Sequence, residues 1–272
     1  MANQFLTSRF AERVQRLALG LEAVDALRNS RIPHPLAITF DEVPLGLPRP
    51  KIMRHDSAAY ALLFGPQIGE EIVIRMFDSA TPLWSVLGDR RRYVPRRLRI
   101  PLLSDEDADA QPIAQTIAQR SRRPVLFPGA AYDVSDCATG MRGRVLQDDE
   151  VVRWARVQAI HPDTGETVGI AHCDDRGEFL LVIDSTAGGI AELTNPLPLE
   201  LHVHVPTTPV ASDEVRRLDP LWDLPVEEVA APGDPDTVCA GAPPWDEWTD
   251  VVTVATDFTL GTLMRGVAPL AV

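Results

Sequence analysis

Residues 172–183 read His-Cys-Asp-Asp-Arg-Gly-Glu-Phe-Leu-Leu-Val-Ile, and residues 55–64 read His-Asp-Ser-Ala-Ala-Tyr-Ala-Leu-Leu-Phe. With Tyr60 laid on Phe179 the two stretches describe one event twice: a polar turn, an aromatic, then an apolar strand. The same shift of 119 positions lays Leu36, Ile38 and Phe40 on Ala155, Val157 and Ala159, an alternating strand ahead of each turn. Two landmarks that coincide at one spacing point to a duplicated β module of about a hundred residues.

Outward from these turns, the alternation of apolar and polar residues marks further strands. In Glu71–Phe77, Ile72, Ile74 and Met76 face one way; in Leu197–Val205, Leu199, Leu201, Val203 and Val205 do. Gly140–Leu146, Trp154–Ile160, Val168–His172 and Glu178–Ile183 complete a second set of strands, with a turn at Pro162-Asp-Thr-Gly165. Phe10, Val14, Leu17, Leu21 and Val24 follow a helical spacing, while Leu17, Leu19 and Leu21 alternate as a strand does; a strand is favoured. Tyr93–Leu103 is expected to carry an outward ladder of Arg96, Arg97 and Arg99, with Pro95 placing it at a sheet edge.

The expected layout is all-β. It runs as a lead-in over 1–13, a first sandwich module over 14–103, a linker over 104–137, a second module over 138–205 and an extended acidic arm over 206–272. Twenty-four prolines against 6% aromatics favour short strands and stiff loops over long helices. The net charge of −13 is uneven: residues 206–272 hold twelve acids against Arg216, Arg217 and Arg265, a balance of −9. Such a surface repels nucleic acid and anionic membranes and suits a basic partner.

Chemistry is sparse. Cys137, Cys173 and Cys239 are odd in number and widely spaced, which fits neither a disulfide framework nor a metal knuckle. His202 and His204 share one strand face, but two solvent-side histidines need no metal to explain them, and His172–Asp175 reads as a turn. Ser104–Asp109 lacks the glycine and distal glutamate of a calcium loop. No nucleophile elbow, zinc-protease, phosphate-loop or dinucleotide pattern occurs, so neither a catalytic residue nor a cofactor is expected. No apolar run approaches a membrane span, and the first residues lack the apolar core of a secretory signal, so the expected location is cytoplasmic.

Three further tryptophans, Trp222, Trp245 and Trp248, lie in the acidic arm, which is too proline-rich to build its own core. They are expected to anchor on the parent sandwich or on another subunit. The arginines Arg96, Arg97 and Arg99 are the second candidate contact, with an acidic neighbour as their partner.

The string Gly143-Arg-Val, then Ala155-Arg-Val-Gln-Ala, then Gly169-Ile-Ala-His-Cys-Asp-Asp-Arg-Gly-Glu-Phe-Leu-Leu resembles the carboxypeptidase regulatory-like module over residues 138–205. That resemblance implies a transthyretin-like, immunoglobulin-class β-sandwich. In it Gly177 takes the positive φ of the turn, an aspartate binds the turn amides and Phe179 enters the core. The first copy has Ala58 where the pattern has glycine. The overall layout is similar to accessory proteins of phage-tail-like contractile injection systems. What it implies is a non-catalytic subunit whose partners are other proteins of a large particle. A ligand-binding, for instance carbohydrate-binding, sandwich using Trp84 and Trp154 is the rival expectation.

Overall fold

In the computed structural model of the chain, the residues described are 17–41, 50–65, 68–78, 92–103, 120–135, 137–183, 195–206, 219, 221–229, 248–265 and 270–271. Every element whose bounds fall among them is a β-strand. The first eight are β1 (Leu17–Leu21), β2 (Val24–Asp25), β3 (Ser30–Arg31), β4 (Leu36–Phe40), β5 (Ile52–Arg54), β6 (Tyr60–Leu63), β7 (Glu71–Asp78) and β8 (Arg96–Pro101). There follow β9 (Ser121–Arg122), β10 (Val125–Leu126), β11 (Gly140–Gln147), β12 (Glu150–Val151), β13 (Arg156–Ile160), β14 (Thr167–His172), β15 (Glu178–Val182) and β16 (Leu197–Pro206). The last are β17 (Val226–Glu228), β18 (Trp248–Phe258), β19 (Leu263–Met264) and β20 (Leu270–Ala271). The ambiguous stretch after Phe10 is strand where it is described.

Two apolar cores organise the sheets. The first lies among strands ordered β5-β6-β1-β9, β10-β2-β3 and β17-β8-β7-β4. The second lies between β14-β13-β16-β18 and a group built on β11, which pairs β12, β15, β19 and β20. Period-two alternation does the sorting: Ile72, Ile74 and Met76 of β7 are buried in the first core, and Leu197, Leu199, Leu201 and Val203 of β16 in the second. β15 is apolar on both faces for a reason visible in its packing. Phe179 and Leu181 enter the second core while Leu180 enters the first, so neither face meets water.

The turns at 55–59 and 174–178 are built alike, bond for bond. His55 N–H donates to Ala59 O (2.8 Å) and Ala58 N–H to His55 O (2.9 Å); Asp174 N–H donates to Glu178 O (2.9 Å) and Gly177 N–H to Asp174 O (3.0 Å). Ala58 has φ 62° and Gly177 φ 68°, so the alanine accepts the left-handed conformation that glycine takes without a Cβ clash. Tyr60 and Phe179 are both buried, and their strands pair antiparallel with β1 and β11 respectively. The aromatics are seated differently. The Tyr60 hydroxyl accepts the Leu36 amide (2.7 Å), whereas Phe179 lies where a Cβ on Gly143 would stand 2.6 Å from its ring. The strand ahead of each turn also differs: β5 pairs β6, while β14 pairs β13.

Three expectations are corrected. The described part of the 104–137 linker carries β9 and β10, which pair in parallel with β1 and β2, and places Leu126 and Tyr132 in the first core. The 206–272 segment, expected as an extended arm, is woven into the sheets where it is described: β17 pairs β8, β18 runs antiparallel along β16, and β19 and β20 join β11. Finally, β8 is no edge, because β7 and β17 flank it. Arg96 faces inward with Leu98 and Ile100, all fully buried, since adjacent residues of a strand point to opposite faces and Arg96 and Arg97 cannot both point out.

Candidate functional site

The segment Asp219 to Val229 is short, acidic and apolar by turns, and it lies across both cores like a strap. Its first turn is closed by Asp219, whose carboxylate accepts the Leu221 amide (3.1 Å) and whose carbonyl accepts the Trp222 amide (2.9 Å). Leu221 and Leu224 then bury against Val94, which precedes β8, and Trp154, which precedes β13. Beyond them Val226, Glu227 and Glu228 lie beside Arg97, Leu98 and Arg99 in parallel register.

Each carboxylate of the strap meets an arginine. Asp219 takes the Arg75 guanidinium at 2.7–2.8 Å, and Arg75 also pairs with Asp41. Asp223 takes Arg153 (2.7 Å) and the Trp154 indole N–H (2.9 Å). Glu228 takes Arg99 on the surface (2.7 Å), while Arg97 pairs with Asp41 and reaches the Leu224 carbonyl.

Glu227 sits where the two cores meet. Arg96 of β8 donates to both of its oxygens (3.2 and 2.8 Å), and Arg156 of β13 donates to Oε1 (3.0 Å). Both arginines are wholly buried. Arg96 also donates to Val125 O (2.5 Å) and Arg156 to Trp154 O (2.8 Å). Charges taken out of water this completely persist only when paired and hydrogen-bonded. Burial lowers the Arg156 pKa and the Glu227 charge opposes that shift.

Beside the cluster, His172 stacks on Phe127 with ring centroids 3.6 Å apart. Burial first, then the charges of Arg156 and Arg96, push its pKa well below the ordinary histidine value, so the ring is neutral near pH 7. Burial likewise pushes the Cys173 thiol well up, which removes it as a nucleophile at neutral pH. The cluster holds its charges in place by pairing them: one glutamate takes both buried arginines.

Of the residues singled out from the sequence, the structure brings Arg96, Arg97, Arg99 and the segment bearing Trp222 together, on each other. The carboxylates that these arginines meet in the structure are Glu227 for Arg96, Asp41 for Arg97 and Glu228 for Arg99. Trp222 is half-buried. Trp248 opens β18 opposite Pro206; Trp245, Trp84 and the Ser104–Asp109 stretch lie outside the described residues. Of His172–Asp175, read as a turn, His172 ends β14 and the turn itself is Asp174–Gly177, with Asp174 Oδ1 accepting the amides of Arg176 (2.8 Å) and Glu178 (3.0 Å). His202 lies 3.5 Å from Glu200, and burial followed by the His202 charge lowers His204 to about 4. No group of three or more metal-capable side chains occurs among the described residues, and no helix among them is long and apolar enough to cross a membrane.

Glu227, Asp223, Asp219, Arg75 and Arg156 were not singled out by sequence reasoning. The signal available was only general: a run of arginines at 96, 97 and 99 and a short acidic stretch at 227–228, with nothing in the sequence to pair them. No protein-family model matches the chain, and neither does any curated protein or solved structure.

Proposed function

We propose that the chain is a non-catalytic structural protein, one subunit of a large assembly such as a phage-tail-like contractile injection particle. It is built on two immunoglobulin-like sandwich modules, of which 138–205 is of the carboxypeptidase regulatory-like kind. The matching turns at 55–60 and 174–179 support the two-module reading. The observation that carries the functional reading is the strap: its carboxylates take arginines from both cores, and Glu227 is shared between them. A buried network of this kind fixes one relative arrangement of two cores, which a load-bearing subunit needs. Partners are then other protein subunits rather than nucleic acid or membrane.

The test is sedimentation from a lysate of the cells that make the protein, followed by identification of its co-migrating neighbours. Co-migration with a large particle of defined composition is expected; a small free species overturns the proposal. The rival, a carbohydrate-binding sandwich, loses one of its two aromatics, because Trp154 is fully buried with its indole N–H bonded to Asp223 and has no face to offer a sugar.

A further inference from the structure

β18 is the longest strand among the described residues, eleven residues from Trp248 to Phe258, and it stands at the end of the order β14-β13-β16-β18. Among the described residues no strand bonds to its outer side. Its neighbours across the register show what that edge lacks. Leu201 and Val203 of β16 are fully buried, yet their partners Val254 and Val252 are only half-buried. The strand also lacks proline and lysine, the residues most used to keep exposed edges from pairing, and its only charges are Asp250 and Asp257. We infer that the outer edge of β18 is a strand-addition site that takes an extended segment of a different subunit, one alternating apolar with basic residues. This rests on the reading of the chain as an assembly subunit.

The chemistry of the occupant follows from the two faces of the edge. On the core side, apolar side chains complete the burial of Val252 and Val254. On the other side Thr253, Ala255 and Asp257 are exposed, and a shallow depression of about 210 Å³ lies between Pro162, Pro198, Glu200, Ala255 and Asp257. Two carboxylates on one small depression suit a lysine or arginine from the incoming strand. A second copy suits it poorly. β18 carries Asp250 and Asp257 and no base, so a second copy brings no cation to the Glu200–Asp257 depression and adds acid to acid in a chain of net charge −13.

The probe is a synthetic peptide of about ten residues with valine and lysine alternating, set against its valine–glutamate counterpart. Hydrogen exchange on the whole protein reads the amides of β18. The expected result is fast exchange at alternate β18 amides in the free protein, slowed by the lysine peptide and not by the glutamate one. Two proline variants sharpen it. Of Thr253→Pro and Val254→Pro, one removes an amide from the β16 ladder and the other an amide from the open edge, so the variant that keeps the parent melting temperature is the edge variant. That variant is expected to bind the lysine peptide at least about tenfold more weakly. Alternate amides already protected in the free protein, equal binding of both peptides, or undiminished binding by the edge variant overturns the inference. Self-association of the free chain through β18 overturns it too. Failure of the wild-type protein to sediment with any particle refutes the assembly reading and leaves the edge to be decided by the peptide.

Discussion

Replacing Glu227 with alanine removes the carboxylate that Arg96 and Arg156 share, and leaves two guanidinium groups buried without it. Breaking a buried pair in this way typically costs about 3–5 kcal/mol, because the partner's charge stays out of water uncompensated. For a chain of this size each kcal/mol moves the melting temperature by about 2–4 °C, so a fall of roughly 10 °C is expected. The control is Glu228→Ala, which removes a surface pair with Arg99 whose side chains are 62% and 42% exposed; exposed pairs contribute about 1 kcal/mol or less. Urea unfolding followed by tryptophan fluorescence reports both variants. Because Glu227 joins the cores, its loss should also split a single transition into two. Equal, small effects of Glu227→Ala and Glu228→Ala would show that the strap merely rests on the cores, and the reasoning would fail. Replacing Arg96, Arg156 and Glu227 together by apolar residues of similar volume should recover most of the loss, as is common for buried ion clusters.

Phe179→Ala should destabilise by about 3–5 kcal/mol in denaturant titration, the usual cost of emptying a packed aromatic site. Gly143→Ala drives a methyl into that ring and should cost about 1–3 kcal/mol; Phe179→Leu in the same chain should recover part of it if the clash is the cause. Ala58→Gly relieves a left-handed alanine at φ 62° and should leave stability unchanged or raise it by up to about 1 kcal/mol. The reverse change, Gly177→Ala, should lower stability, because a Cβ there stands 2.9 Å from two carbonyl oxygens. His172 and His204 both titrate below the ordinary value in the folded chain. The unfolded chain therefore takes up these protons first. Their contribution is complete above about pH 6.5 and declines as pH falls, for His204 towards about 4. His172→Leu should flatten the acid side of the stability–pH curve, and an unchanged slope would refute the assignment.

Local chemistry was legible in the residues themselves. A turn, an aromatic and a strand are written within a dozen positions, because hydrogen bonds across three or four residues and a period of two are short-range facts. For that reason Tyr60, Phe179, β7 and β16 stand where the sequence placed them, as does the Asp174–Gly177 turn. What failed was partner choice. Arg96 was expected to face water beside Arg97, and nothing near it in the chain contradicts that; the carboxylate that draws it inward is Glu227, 131 positions on. The same holds for the tail. Its prolines, acids and fading periodicity describe a segment without a core of its own. They carry no record that β8 and β16 each leave a side open to it, or that the arginines of two cores converge on one glutamate. An amino-acid sequence fixes which face each side chain takes along its own strand. Which strand lies next to it, and hence whether a charge is solvated or buried against its opposite, is decided only when loop closure over a hundred residues brings the two segments together.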